Sequence, residues 1–91
     1  MNKSIEPEDL YYNKKYFNMF FELPSKNISF FSPFRRADHP TCLLRKGGRG
    51  VWKIHDMELD DSSDIIESLM KLYGINYEQA LKLLNEKEGK S

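Results

Sequence analysis

The chain has 91 residues, 40% of them hydrophobic and 31% charged, a balance that sets a single globular domain with one core and excludes intrinsic disorder. Fourteen Lys+Arg against fourteen Asp+Glu leave a formal net charge of zero, which excludes a general attraction to polyanions by net charge. No apolar run reaches the roughly eighteen residues that a membrane span needs.

The charge is nevertheless polarised along the chain. Arg35, Arg36, Arg45, Lys46, Arg49 and Lys53 form a basic middle interrupted by Asp38 alone, and Asp56, Glu58, Asp60, Asp61, Asp64 and Glu67 form an acidic segment without a base. The lone Cys42 rules out an internal disulfide framework, and the opening Met-Asn-Lys-Ser lacks the apolar stretch of a secretory signal. Both point to a cytoplasmic, reducing environment.

In chain order, Pro7 among Glu6, Glu8 and Asp9 is a helix start, because proline gives up an N–H that has no partner there. Helical spacing of Tyr12, Tyr16, Met19 and Leu23, and of Tyr16 with Phe20, predicts one helix to about Phe21, stopped by Pro24. Its aromatic side is read as core; the alternative is a docking face for a partner protein. Ile28 to Phe31 reads as a short strand ended by Pro33. Thr41 to Arg45 and Val51 to His55 read as two strands of a hairpin turned by Lys46-Gly47-Gly48-Arg49-Gly50.

The patch Asp60 to Asp64 reads as capping residues, with Asp64 and Glu67 spaced as a capping box for a helix beginning near Ser63. Ile65, Leu69 and Leu72 form one stripe on that helix and Ile66, Met70 and Tyr73 another, and Gly74 stands where a left-handed C-terminal cap belongs. Asn76 and Gln79 cap a last helix with Tyr77, Ala80, Leu81 and Leu84 facing inward, and Glu86 to Ser91 reads as a fraying tail. The expected fold is α+β: a small three-stranded antiparallel sheet with an N-terminal helix and two C-terminal helices.

The order Ser32-Pro33-Phe34-Arg35, four residues, Pro40-Thr41-Cys42, a glycine-turned basic hairpin, Ser63-Asp64-Ile65-Ile66-Glu67 and Tyr73-Gly74-Ile75-Asn76-Tyr77-Glu78-Gln79-Ala80-Leu81 resembles the N-terminal zinc-binding domain of bacterial and phage replicative DNA primases. That family reads Cys-Pro-Phe-His, four residues, Pro-Ser-Phe, a hairpin ending in Cys-x-x-Cys, then Gly-Asp-x-Ile-x-Phe and a Gly-Ile-x-Phe-x-Glu-Ala helix. The resemblance covers residues 28–85 of a single 1–91 domain, leaving 1–27 as a helical lead-in and 86–91 as the tail.

The resemblance departs at the metal. The family's first two ligand positions fall on Ser32 and Arg35, and its last two fall within a residue or so of Asp56 and Leu59. Four thiolate or imidazole ligands are needed for a structural zinc, so the expectation is a zinc-ribbon-like fold with no metal and no cofactor. A relocated site from His39, Cys42, His55 and Asp56 is the competing arrangement. Loss of zinc forfeits on the order of ten kcal/mol of folding energy in metal-dependent modules. The expected replacements are the aromatic lead-in helix, Phe30, Phe31, Phe34 and Trp52 packed under the corner, and an Arg35–Asp56 salt bridge where two ligands stood.

The resemblance implies contact with single-stranded template DNA during replication. The candidate nucleic-acid-binding residues are Arg35, Arg36, Arg45, Lys46, Arg49 and Lys53 for phosphates, and Trp52 as a stacking platform. Trp52 and Lys53 are adjacent on a strand, so only one of them can face the open side. No catalytic constellation is legible: Asp60-Asp61 and Ser62-Ser63-Asp64 fit helix capping, Cys42 with His39 or His55 lacks an oxyanion apparatus, and the glycine run lacks the Walker spacing.

The expectation is a non-catalytic DNA-binding or template-recognition module of phage or bacterial replication. It would work beside a replicative helicase, a primase catalytic domain or another replication protein, with no membrane role. The alternative is a phage-encoded protein-interaction module that binds a replication or host protein through its aromatic helix and acidic segment.

Overall fold

A computed structural model describes residues 7–24 and 28–90, with the side chains of 10–24 and 28–88. Its elements are α1 (Pro7–Tyr12), α2 (Lys15–Phe20), β1 (Cys42–Lys46), β2 (Trp52–Asp56), β3 (Asp61–Ser63), α3 (Ile65–Tyr73) and α4 (Tyr77–Lys90). The three strands form an antiparallel sheet in the order β1-β2-β3, as expected of an α+β chain.

The third strand is not the one read from the sequence. Ile28 to Phe31 contributes only a bridge, in which Phe30 and Cys42 exchange both backbone hydrogen bonds at 2.8 and 2.9 Å. The third strand is Asp61–Ser63 at the opposite edge of the sheet, which pairs with β2 through Ile54↔Ser63 and His55↔Ser62. A polar three-residue edge strand carries no apolar alternation, so it reads as loop; shortness and charge are what keep such an edge from pairing with other chains.

The lead-in helix is likewise two short ones. The Asn13 side chain accepts the Lys15 backbone N–H at 3.0 Å, a local bond that competes with helix continuation and breaks the run between Tyr12 and Lys15. Leu10, Tyr16, Phe17 and Phe21 still reach the core, where they meet Cys42 and Ile54 of the sheet, Ile65, Ile66 and Leu69 of α3, and Ala80 and Leu84 of α4.

Both C-terminal helices begin as their sequences specify. Asp64 accepts the Glu67 N–H at 2.8 Å while Glu67 accepts the Asp64 N–H at 3.1 Å, and Asn76 and Gln79 make the same reciprocal pair at 2.8 and 2.9 Å. Gly74 ends α3 at φ 63°, ψ 41°, the left-handed conformation that glycine adopts without a Cβ clash. Tyr77 is a departure: it is half exposed, and its hydroxyl meets Tyr11, whose own pKa is pushed up to about 12 by burial and by the nearby Asp64 carboxylate. Tyr73 is exposed as well, so its stripe ends at Met70. Helix α4 continues to Lys90 through the stretch read as a tail, and Ser91 lies outside the described residues.

Candidate nucleic-acid interface

Strand parity sorts the basic middle of the chain between two faces of the sheet. Register pairs Leu44 with Ile54 and Lys46 with Trp52 on the face that packs against the helices, and pairs Leu43 with His55 and Arg45 with Lys53 on the open face. Trp52 therefore turns inward, partly buried against the core with the Lys14 ammonium 5.3 Å from its ring centroid, and Lys53 takes the open side. Lys46 shares the inner face and borders Gly50, as does the Tyr12 ring.

The hairpin turn brings a third cation to the open face. Gly50 donates to the Gly47 carbonyl at 2.9 Å and Gly47 to Val51 at 2.8 Å, and Gly50 takes φ 83°, the left-handed position that closes such a turn. Arg49 sits at the tip. With Arg45, Lys53, Val51, Gly47, Gly48 and Ser62 it surrounds a concavity of about 300 Å³. Arg45, Lys46, Arg49, Lys53 and the exposed Arg36 make no ion pair with the described residues. Arg45 and Lys53 stand directly opposite each other, an arrangement of like charges that works against sheet stability.

Arg35 belongs to a different cluster. Its Nε donates to Asp56 Oδ2 at 2.9 Å, and one terminal nitrogen reaches Asp56 Oδ1 at 3.3 Å, Glu58 Oε1 at 3.2 Å and Thr41 Oγ1 at 3.3 Å. Asp56 is only 7% exposed and also accepts the backbone N–H groups of Glu58 and Leu59, at 3.1 and 3.4 Å. The Arg35 guanidinium holds its carboxyl down at about 2, against an ordinary 3.8. Asp56 thus folds the Met57–Asp60 turn around itself, and Asp60 completes the turn at φ 51°, a conformation that Asp tolerates better than most residues.

Ser32 and Arg35 meet in space with Asp56 and Leu59, near which the resemblance sets the last two expected ligand positions. Ser32, Arg35, Asp56 and Leu59 line one concavity of about 360 Å³ together with Cys42 and Phe34, and Lys71 closes it by bonding Asp61 at 2.6 Å and Ser63 at 2.5 Å. The charges offset one another, and no buried side-chain nitrogen or oxygen among the described residues lacks a partner. Phe34 stacks edge-on against Phe21 at 6.1 Å with Lys71 over its ring at 5.5 Å, which gives the corner its packing. Phe31, expected beneath the same corner, is instead exposed. Thr41, Glu58 and Lys71 were not legible as parts of this cluster, because nothing in their local sequence marks a partner so distant along the chain.

No group of three His, Cys, Asp or Glu side chains among the described residues converges as a metal site. His39 is exposed, and His55 lies on the open face, bonded to Ser62 Oγ at 2.7 Å. Burial, reinforced by the Asp56 charge, raises the Cys42 thiol pKa and opposes thiolate chemistry there. No described helix is long and apolar enough to cross a membrane. No family model matches the chain, and no curated protein or solved structure matches it.

Proposed function

We propose that the chain is a non-catalytic, cytoplasmic module that holds single-stranded DNA template in replication, on the plan of a primase zinc-binding domain whose metal has given way to the Arg35–Asp56 pair. The observation that carries DNA binding is the open sheet face, where Arg45, Arg49 and Lys53 gather without an ion pair among the described residues, although Arg45 and Lys53 oppose each other across the strands and the Asp64 carboxylate is near enough to Lys53 to offset part of its charge. Phosphates are the ligand that turns this repulsion into binding energy. The meeting of Ser32, Arg35, Asp56 and Leu59 around one concavity supports the family plan. Such a binder would serve a helicase or a primase catalytic domain.

The test is anisotropy of a labelled single-stranded oligonucleotide across a salt series. Three phosphate contacts predict a slope of log K against log salt of about −2, and Arg45→Ala or Arg49→Ala should each flatten it by about 0.7. A wild-type chain that binds no oligonucleotide even at low salt would falsify the reading. The protein-interaction alternative has less surface to work with, since Tyr16, Phe17 and Phe21 of the aromatic lead-in are buried in the core.

A further inference from the structure

With Trp52 turned inward, the open face has cations but lacks the aromatic surface that single-strand binders pair with them. Among the exposed large apolar residues, the aromatic ones are Tyr12, Phe31, Tyr73 and Tyr77. Tyr12 borders Gly50, and Tyr73 and Tyr77 lie on either side of the α3–α4 junction. Only Phe31 belongs to a segment bonded to the sheet.

Its direction follows from its neighbour. Phe30 pairs with the fully buried Cys42 and packs against the core, so Phe30 points to the helix side. Successive side chains of an extended segment alternate, which sends Phe31 to the opposite face, the one that carries Leu43, His55, Arg45 and Lys53. At 58% exposure its ring is free for a ligand. Phe31 follows the residue bridged to Cys42, three residues from Arg45 along β1, which puts it on the order of 10 Å or more from that arginine. Leu43 and His55 fill the interval. The face thus grades from an aromatic end to a cationic end over a distance that suits a short run of unpaired nucleotides.

We infer that Phe31 is the base-stacking residue of this surface: an unpaired base lies against its ring while the neighbouring phosphates run toward Arg45, Lys53 and Arg49. This rests on the DNA-binding reading above. It adds a separate contact, one that salt does not screen.

Binding of a labelled oligothymidine of about twelve nucleotides should be compared with that of an abasic sugar-phosphate strand of the same length, for the wild type, Phe31→Ala, Phe31→Leu and Phe31→Tyr. Phe31→Ala and Phe31→Leu should each weaken oligothymidine binding at least about five-fold, with the salt slope unchanged, and Phe31→Tyr should restore it. The abasic strand should bind all four proteins equally. If the wild type binds with the expected salt slope and Phe31→Leu binds as tightly, the stacking assignment is wrong and the phosphate surface stands. If the wild type binds neither strand at low salt, both readings fall.

Discussion

Arg35 and Asp56 illustrate how a single contact can organise a corner. Asp56 is nearly buried, so its charge is sustained by the guanidinium and by the two backbone N–H groups of the turn that it closes. Asp56→Ala strands these donors and should destabilise the fold by about 2 kcal/mol in urea unfolding. Arg35→Ala should destabilise it too, and the double mutant should lose less than the sum, with a coupling above about 0.5 kcal/mol. Strict additivity would show that the two residues act separately. The pH dependence has a definite sign: the Asp56 pKa is lower in the folded chain, about 2, than in the unfolded one. The stability it confers is therefore complete above roughly pH 5 and is lost as the pH falls toward 2. Asp56→Asn should flatten that acid limb.

At the scale of elements, the helix ends were legible because their chemistry is local: a capping box or a left-handed glycine is specified by residues within one turn. The glycines give a contrast that tests this. Gly74 stands at φ 63° with open space where a Cβ would go, so Gly74→Ala meets no clash and loses only backbone conformation, about 1 kcal/mol. Gly48 also has open space but no left-handed φ, and Gly48→Ala should stay within about 0.5 kcal/mol of wild type. Equal thermal shifts for the two would overturn the left-handed cap as the reason for glycine at 74. The β3 strand and the α1–α2 break were not legible for the complementary reason. Asp61–Ser63 becomes a strand only because Ile54 and His55 lie beside it, and the helical period of the lead-in does not register a competing Asn13 side-chain bond.

Across the whole molecule, a formal charge of zero means that any attraction to a polyanion is local, set by how the two signs are sorted. The sequence showed that sorting as a basic middle and an acidic segment, but not which basic residues share a surface. Strand parity decides that by sending Lys53 and Trp52 to opposite faces, and a tertiary pair decides it for Arg35. The Arg45–Lys53 opposition is the feature on which the proposed binding surface rests. If the face is there for phosphates, it is kept at the expense of sheet stability, and Arg45→Glu should reverse both quantities at once. The new carboxylate faces Lys53 as a cross-strand ion pair, which should raise stability by about 0.5 kcal/mol in urea unfolding while oligonucleotide binding is lost. An Arg45→Glu chain that unfolds more easily than wild type would mean that Arg45 supports the sheet through contacts of its own, and the like-charged pair would no longer argue for a ligand.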